Sequence, residues 1–303
     1  MNQSPIILPG TDCIIEPDTP LANLASYRVG GNAQWYVAPR NLEQLYAAFE
    51  WYQKQDMPLT MLGAGSNLLI SDHGIPGLTL STRYLRYTNF DLENFTITAD
   101  AGEPVAKLAW RAAKRGWSGL EWAVGIPATV GGAIVMNAGA HDACVADVLV
   151  SAKVVKPNGE IEILTPRELA YSYRTSSLQG QSKVVVQGVF QLKPGFTKDE
   201  IMATTTANLH QRKSSQPYHL PSCGSVFRNP QPQAAGWLIE QLGLKGYKIG
   251  DAQVAHRHAN FILNCGKATA NDIFQLINYV QEQVDKHWSL SLEPEVKLVG
   301  EFS

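Results

Sequence analysis

The fold is decided by Gly63-Ala64-Gly65-Ser66-Asn67, a glycine-rich loop that directly follows the apolar run Leu59–Leu62. Glycines in such a loop let successive backbone N–H groups approach a pyrophosphate, because no Cβ blocks the approach or restricts φ. The loop is not the Rossmann dinucleotide fingerprint, since Leu68 replaces the third glycine and Leu68-Leu69-Ile70 predicts a strand instead of a helix. Taken alone, the loop is also compatible with a plain tight turn.

A second glycine-rich stretch runs from Trp122 to Ala140 without a formal charge. It is near the length of a membrane-spanning helix, but Pro127 and several glycines disfavour such a helix. Within it lie Gly125-Ile126-Pro127-Ala128-Thr129-Val130-Gly131-Gly132-Ala133 and Met136-Asn137-Ala138-Gly139. A segment of this composition can pack its backbone against a flat apolar ring and donate N–H groups to it. We therefore expect it to be buried inside the protein.

The composition is that of an ordinary globular protein. The chain has 303 residues, of which 45% are hydrophobic and 17% charged, and its formal net charge is -2. It is too apolar to be disordered, and it lacks the basic footprint of a nucleic-acid-binding protein. The spacing of its cysteines and histidines indicates neither a disulfide framework nor a metal site. Residues 1–10 show no secretory pattern, so we expect a cytoplasmic protein. We also expect a small-molecule partner, no membrane insertion and a monomeric state.

Hydrophobic periodicity and turn signals predict alternating helices and strands. The predicted strands 148–155 and 160–164 form a hairpin that turns at Asn158-Gly159 in a type I′ turn. Residues 214–224, rich in Ser, Pro and Gly, are predicted to be a domain boundary. The predicted helices are one capped by Asn41, one from Pro104 to Gly116, one over 198–212, one around Trp237 and Leu238, and one opened by the Thr269/Asp272 capping box; the predicted strands are 59–62, 68–70, 78–81, 95–98, 148–155 and 160–164. The apolar faces of the last two helices are predicted to be core.

Read together, the two glycine-rich stretches resemble the FAD-binding half of the UDP-N-acetylenolpyruvoylglucosamine reductases, also called UDP-N-acetylmuramate dehydrogenases. This family has a vanillyl-alcohol-oxidase-type FAD-binding domain, and in it the two loops enclose the FAD pyrophosphate and the flavin edge. The resemblance implies non-covalent FAD, with His73 as the histidine to check for covalent attachment. The implied cofactor contacts are Gly63, Ala64, Gly65, Ser66, Asn67, Leu68, Gly125, Ile126, Pro127, Ala128, Thr129, Gly131, Gly132 and Asn137.

Three further segments match the same family and imply its catalytic residues. In Tyr171-Ser172-Tyr173-Arg174-Thr175-Ser176, the resemblance makes Arg174 catalytic and places Tyr173 in the substrate pocket. A permanently charged guanidinium suits the negative charge that hydride addition to an enolpyruvyl group pushes toward the neighbouring carboxylate. On its own, an arginine in this context would be read as a surface residue.

The second segment is Pro221-Ser222-Cys223-Gly224-Ser225-Val226-Phe227-Arg228-Asn229-Pro230. By resemblance, Ser225 donates the proton that completes the reduction, and Asn229 contacts the sugar nucleotide. A serine is a poor acid, so it can serve only if it protonates a strongly basic carbanion or enolate. If the segment is extended, Cys223 and Ser225 point to the same face, which leaves Cys223 as a rival donor.

The third segment is Leu292-Glu293-Pro294-Glu295-Val296-Lys297. The resemblance assigns Glu295 to stabilise the enol beside Arg174, which requires burial to keep the carboxyl protonated. Glu293 is expected to be a solvated surface carboxylate. Weaker matches imply substrate contacts for Arg212, Gln216 and His258, although a basic helix end explains Arg212 equally well.

We therefore predict an α+β flavoprotein with FAD-binding subdomains over 1–82 and 83–213 and a C-terminal α+β substrate-binding domain over 214–303. Residues 174, 225 and 295 are expected to converge. As in the family, NADPH would reduce FAD, and the enolpyruvyl group of UDP-N-acetylglucosamine enolpyruvate would then be reduced to give UDP-N-acetylmuramate, a peptidoglycan precursor. The 51 residues from Arg174 to Ser225 resemble the subgroup without an inserted tyrosine-bearing loop. A flavin oxidase of the same fold and a nucleotide-sugar-binding protein that has lost its flavin are the alternatives.

Overall fold

The computed structural model of the protein describes residues 4–302, which form seventeen β-strands and six α-helices. The strands are β1 (Ile6–Ile7), β2 (Ile14–Pro20), β3 (Asn32–Val37), β4 (Leu59–Leu62), β5 (Leu68–Ile70), β6 (Ile75–Ser81), β7 (Thr88–Asp91), β8 (Thr96–Asp100), β9 (Gly139–Ala140), β10 (Ala143–Cys144), β11 (Leu149–Val155), β12 (Ile161–Leu164), β13 (Val184–Gln191), β14 (Lys248–Ile249), β15 (Ala252–Val254), β16 (Ile262–Asn264) and β17 (Lys297–Val299). The helices are α1 (Leu42–Tyr52), α2 (Val105–Ala113), α3 (Val130–Val135), α4 (Lys198–Ser215), α5 (Ala235–Gln241) and α6 (Ala270–Trp288).

The strands form two five-stranded sheets and three smaller ones. One large sheet has the order β1-β2-β3-β6-β4, with β4 parallel to β6. The other has the order β12-β11-β13-β8-β7, and its neighbouring strands are antiparallel. The smaller sheets are the antiparallel sheet β14-β15-β16, the hairpin β9-β10, and the parallel pair β5-β17, in which Leu68 lies opposite Lys297.

The chain divides into two compact units. The first unit consists of the chain up to Pro17, Trp35–Ala64 and Gly77–Arg212, and the second consists of Asp18–Gln34, Gly65–Pro76 and the chain from Lys213 onward. The predicted division at 1–82, 83–213 and 214–303 stays a prediction, and residues 1–3 and 303 at its outer ends lie outside the described part of the chain.

The core of the first unit is built by α2 and α3 together with the antiparallel sheet. α2 begins after Pro104 and buries Val105, Leu108, Ala109 and Ala112 on one face, as its periodicity predicts. It ends before Gly116, whose φ of +69° is a left-handed conformation that glycine adopts at no steric cost. A separate apolar cluster in the same unit packs around α1, whose N-cap Asn41 accepts a hydrogen bond from Gln44 N at 2.9 Å, as predicted.

The core of the second unit is built by α5 and α6. α6 buries Ile273, Leu276, Ile277 and Val280, and burial of each such side chain stabilises the fold by about 1.5–3 kcal/mol. The predicted capping box at its N-terminus is present, since Asp272 N donates to Thr269 Oγ1 at 3.0 Å and Thr269 N donates to the Asp272 carboxylate at 2.9 Å.

Four local predictions are wrong in detail. A type I′ turn needs positive φ at both central residues, but of Asn158 and Gly159 only Gly159 has it. The loop consists of residues 157–159, and Lys156 N donates to Glu160 O across it. This longer loop suits the fixed negative φ of Pro157. α4 continues to Ser215, beyond Arg212. The predicted strand 95–98 is observed as β8 (Thr96–Asp100), which begins one residue later because Phe95 has a φ of +53°. Trp237 is 42% exposed and contacts Trp288 instead of the core.

Candidate active site

The first glycine-rich loop follows β4, and its two glycines are required for different reasons. In the first unit, a Cβ at Gly63 would lie 2.8 Å from Thr129 Oγ1, so the bare backbone allows these two chain segments to approach closely. In the second unit, Gly65 has a φ of +66°, and a Cβ there would collide with the backbone carbonyl of Leu24. Gly65 N–H and C=O are thus placed by local packing, and Gly65 O accepts a hydrogen bond from Ser26 N at 2.9 Å.

Thr129 is the most informative side chain of the second glycine-rich stretch. It precedes α3 as its N-cap residue, a position in which a threonine hydroxyl usually accepts a hydrogen bond from the helix backbone. Here Thr129 Oγ1 is buried and has no hydrogen-bond partner among residues 4–302. A buried hydroxyl without a partner is costly, so this oxygen beside Gly63 fits a bound polar group.

The two glycines of α3 face different surroundings. A Cβ at Gly131 would lie 2.9 Å from Ala101 Cβ, so Gly131 is needed for the packing of the unit itself. A Cβ at Gly132 would meet only Thr129 Oγ1, at an ordinary 3.6 Å. The protein alone therefore tolerates a side chain at 132, and the bare backbone there is open for a ligand.

The loop that carries Arg174 is tied to the C-terminal end of α3. Tyr171 Oη donates to Ile134 O at 3.0 Å, and Ser176 Oγ donates to Val135 O at 2.6 Å. Gln179 Nε2 donates to Val135 O at 3.2 Å and to Arg174 O at 3.0 Å. Since the last carbonyls of a helix lack partners within the helix, these side chains both complete α3 and fix the loop.

Arg174 itself is half-buried and held in an unusual conformation. Its φ is +55°, a left-handed conformation that costs a non-glycine residue about 1–3 kcal/mol. Its Nη2 donates to Gly139 O at 2.6 Å, and the guanidinium carbon lies 4.8 Å from the centre of the Tyr173 ring. The structure thus orients a permanent positive charge beside the exposed Tyr173.

Asn137, a predicted cofactor contact, has its side chain engaged by the protein. Its Nδ2 donates to Ser172 O at 3.0 Å, and its Oδ1 accepts from Ala146 N at 3.0 Å. The side chain therefore links the arginine loop to the segment after the glycine-rich stretch. Any contact of Asn137 with a cofactor would involve the remaining amide hydrogen or the backbone.

Ser225 lies in the second unit, directly after a glycine in the left-handed conformation. Gly224 has a φ of +76°, so the segment is not extended at this residue, and the condition under which Cys223 and Ser225 would point to one face is not met. Cys223 is 4% exposed, and its Sγ lies 3.3 Å from Leu68 O. Burial raises the pKa of its thiol to about 12. The Ser225 hydroxyl is half-buried and makes no hydrogen bond within the described part of the chain.

The second unit brings the segments of Ser225 and Glu295 together. Glu295 N donates to Val226 O at 2.7 Å, Arg228 N donates to Glu293 O at 2.9 Å, and Phe227 forms an antiparallel bridge with Pro294. Residues 226–228 and 293–296 thus pair in opposite directions. Glu295 is half-buried, whereas the Glu293 side chain is 67% exposed and its Oε1 lies 3.4 Å from Arg228 Nε.

The first glycine-rich loop reaches the same place through Asn67. Its Nδ2 donates to Glu295 O at 3.0 Å, and its backbone O accepts from Lys297 N at 3.0 Å. The hydrogen bond from Lys297 continues into the parallel pair β5-β17, which contains the predicted strand Leu68–Ile70. Asn67, Glu295 and Val226, the residue after Ser225, are therefore linked by one small set of hydrogen bonds.

Two predicted substrate contacts lie at the start of α5. Asn229 is exposed, and its Oδ1 accepts from Ala235 N at 3.1 Å. His258 is half-buried; its Nδ1 accepts from Asn260 N at 3.3 Å, and its Cε1 lies 3.3 Å from where a Cβ of Gly236 would be. Desolvation by burial is the main cause that lowers the pKa of His258. Both side chains keep a polar atom that can face a ligand.

Arg212, Gln216 and His73 were also singled out in the sequence. Arg212 is half-buried within α4 of the first unit. Gln216 follows the end of α4 in the second unit, and its backbone O accepts from Tyr218 N at 3.2 Å. His73 is exposed, and its N donates to Ser71 Oγ at 3.1 Å.

Sequence reasoning missed two residues that each fix one of the candidate segments within its own unit. Gln179 ties the Arg174 loop to α3, and Asn260, a buried residue, bonds the backbone next to Ser225. Neither has a sequence signal, because one isolated amide side chain forms no motif. Over residues 4–302 the structure contains no group of three or more His, Cys, Asp or Glu side chains placed to hold a metal, and no helix there is both long and apolar enough to cross a membrane.

Comparison with known proteins defines the class first. Residues 33–165 match the model of an FAD binding domain, and residues 216–299 match the model of the C-terminal domain of UDP-N-acetylenolpyruvoylglucosamine reductase. With the mixed helix and strand content, these matches define a flavoprotein whose FAD-binding domain is followed by a C-terminal α+β domain. The predicted fold class is confirmed.

The family follows from similarity over the whole chain. The chain is 61% identical to UDP-N-acetylenolpyruvoylglucosamine reductase of Synechocystis sp., covering 100% of this chain and 96% of the relative. It is 60% identical to that of Nostoc sp., covering 98% and 90%. It is also similar to the crystal structure of UDP-N-acetylenolpyruvylglucosamine reductase from Thermus caldophilus, with a TM-score of 0.81, 34% identity, and coverage of 95% of this chain and 100% of the other. The chain belongs to the UDP-N-acetylenolpyruvoylglucosamine reductase family.

Proposed function

We propose that the protein is an FAD-dependent oxidoreductase that uses NADPH to reduce the enolpyruvyl group of UDP-N-acetylglucosamine enolpyruvate, giving UDP-N-acetylmuramate. The observation that carries this proposal is the pairing of residues 226–228 with 293–296, which joins the segment that follows Ser225 to the segment of Glu295. The named relatives and the matched domains support the same activity. They do not favour a flavin oxidase.

The product belongs to peptidoglycan synthesis, and thereby to cell-wall biogenesis, cell shape and cell division. We place the enzyme in the cytoplasm, where its nucleotide-sugar substrate and NADPH are made. We also propose that it acts as a monomer.

The first unit fits FAD. Gly63 and Gly132 both leave bare backbone close to the Thr129 hydroxyl, which has no partner among the described residues and can bond a polar atom of the cofactor. When bound, FAD supplies the hydride chemistry that no side chain of this protein can perform. The other predicted cofactor contacts stay predictions.

The protein's own residues then stabilise charge and deliver a proton. Arg174, oriented by the Gly139 carbonyl, supplies the fixed positive charge that stabilises negative charge on the substrate carboxylate. Glu295 assists the enol when its carboxyl is protonated and donates a hydrogen bond. Ser225 delivers the proton to the α-carbon of the enolpyruvyl group, while hydride adds to the β-carbon. Its hydroxyl is suited to this because no acceptor among residues 4–302 holds its proton.

The UDP-sugar is bound by Tyr173, Arg212, Gln216, Asn229 and His258. Asn229 Oδ1 already accepts from α5, so this residue acts as a donor through Nδ2. His258 is neutral near pH 7, because burial lowers its pKa. Since its Nδ1 accepts a hydrogen bond, Nε2 carries the proton and donates to the substrate.

The proposal is tested by Ser225→Ala, studied in the two half-reactions by stopped-flow absorbance of the flavin. Reduction by NADPH should remain nearly intact, whereas reoxidation by the enolpyruvyl substrate should slow by about 10²–10⁴-fold, the usual contribution of a positioned proton donor. Ser222→Ala, in the same segment and also half-buried, is the matched control and should behave as wild type. Unimpaired reoxidation in the Ser225 variant would remove that serine from the mechanism.

A further inference from the structure

We infer that Asn260 is a positioning residue for the proton-transfer step: its side chain fixes the backbone next to Ser225 and so sets Ser225 against Glu295. This inference rests on the proposed function. Asn260 is not expected to touch the substrate or FAD, because it is 2% exposed. It acts through the segment of residues 226–228, which follows Ser225 directly.

The side-chain amide of Asn260 bonds both backbone groups of Phe227, as a neighbouring strand would. Its Oδ1 accepts from Phe227 N at 2.9 Å, and its Nδ2 donates to Phe227 O at 2.8 Å. Its backbone O also accepts from Val226 N at 2.8 Å. This reciprocal pair of hydrogen bonds is the pattern by which opposite residues of an antiparallel ladder hold each other.

The other edge of the same segment is held by the chain that carries Glu295. Val226 O accepts from Glu295 N at 2.7 Å and from Val296 N at 3.3 Å, and Arg228 N donates to Glu293 O at 2.9 Å. The segment therefore lies between Asn260 and residues 293–296. Both hydrogen-bonding groups of Val226 are occupied, one on each side, so the position of Ser225 relative to Glu295 depends on both contacts.

Ser225 has little support from its N-terminal side. Gly224 precedes it with a φ of +76° and with nothing within 4 Å of where its Cβ would be. The next anchor on that side is the Cys223 thiol, 3.3 Å from Leu68 O. If the Asn260 contact is lost, the 226–228 segment can shift and Ser225 shifts with it. A misplacement of about 1 Å can slow a catalysed step by about 100-fold.

A second buried asparagine in the same unit provides the matched control. Asn264 is 5% exposed and also bonds backbone groups: its Nδ2 donates to Tyr27 O at 3.0 Å, and its Oδ1 accepts from Gly266 N at 3.0 Å. None of these side-chain bonds reaches residues 226–228 or 293–296. The backbone N of Asn264 donates to Pro221 O at 3.0 Å, and a change of side chain leaves that hydrogen bond in place. Substitution of Asn264 should therefore reproduce the loss of stability without the loss of positioning.

The experiment compares Asn260→Ser with Asn264→Ser in the flavin-loaded enzyme. Each half-reaction is followed by stopped flow, and the oxidative half-reaction is repeated in deuterated water. In Asn260→Ser, reduction by NADPH should stay within about twofold of wild type, and reoxidation by the enolpyruvyl substrate should slow by about tenfold or more. Its solvent isotope effect on reoxidation should rise, because proton delivery becomes slower. Asn264→Ser should change neither the rate of reoxidation nor its solvent isotope effect.

Two results would overturn the inference: wild-type reoxidation and isotope effect in Asn260→Ser, or equal slowing in both variants, which would mean a general loss of stability. If Asn260→Ser does not retain flavin, Asn260→Asp, nearest in shape, is measured by the same criteria with Asn264→Asp as its control. Failure of the proposed function is a separate outcome, because wild-type enzyme reduced by NADPH would then not be reoxidised by the substrate at all.

Discussion

Gly132→Ala should make the flavin-free protein more stable and its binding of FAD weaker. In the protein alone, the new methyl group would meet only Thr129 Oγ1, at 3.6 Å, and Gly132 does not have positive φ. Alanine in place of glycine inside a helix is favourable by about 0.5–1 kcal/mol. If FAD lies against this bare backbone, the same methyl group occupies space that the cofactor needs.

The adjacent glycine gives the opposite result and serves as the control. A Cβ at Gly131 would lie 2.9 Å from Ala101 Cβ in a buried position, so Gly131→Ala overpacks the core of the first unit. Overpacking costs about 1–3 kcal/mol. If the clash between bound FAD and the methyl group introduced by Gly132→Ala costs the same 1–3 kcal/mol, FAD binding should weaken by about 5–150-fold. Each 1.4 kcal/mol changes the dissociation constant about tenfold.

The assay is thermal unfolding of the flavin-free variants, followed by titration with FAD monitored by flavin fluorescence. Gly132→Ala should raise the melting temperature by about 1–4 °C, and Gly131→Ala should lower it. FAD affinity equal to wild type in Gly132→Ala would refute the placement of the cofactor against α3. A melting temperature that falls equally in both variants would refute the structural distinction between the two glycines.

Two further predictions concern pKa values in the second unit. The Cys223 thiol, whose pKa burial raises to about 12, should not react with a thiol reagent at about pH 8 until the protein unfolds; rapid labelling of Cys223 in the folded protein would contradict its placement. Because the pKa of His258 is lowered, the folded state favours the neutral ring. The stability that His258 contributes is therefore present above pH 6.5, its usual pKa, and is lost as the pH falls below that value. Between about pH 7.5 and 5.5, the free energy of unfolding measured with urea should fall less in His258→Gln than in wild type. An equal fall in both proteins would be inconsistent with this explanation.

Local signals in the sequence predicted five of the six helices of the described chain, but not α3 (Val130–Val135), which lies inside the second glycine-rich stretch. Asn41, Pro104 and Thr269 each mark a helix start because their effect is exerted on the next few residues, and the structure places a helix after each. The strand Leu68–Ile70 was also predicted, but its partner β17 was not, since pairing of residues so far apart in the chain leaves no local pattern.

The site was predictable only where a motif carried it. The glycine-rich loops and the segments of Arg174, Ser225 and Glu295 are recognisable by resemblance, and the roles assigned to them stay proposals. The left-handed Gly224 was missed because glycine is compatible with both extended and left-handed backbone. Gln179 and Asn260 were missed because their function is to bond backbone groups that only the folded chain brings near them.

The most direct test of the proposed activity is anaerobic reoxidation of the reduced protein. The purified protein should show a flavin absorption spectrum, lose it on addition of NADPH, and regain it only when UDP-N-acetylglucosamine enolpyruvate is added, with one UDP-N-acetylmuramate formed per flavin. A colourless protein that takes up no FAD would contradict this account. So would a reduced flavin that ignores the enolpyruvyl substrate but is reoxidised rapidly by air.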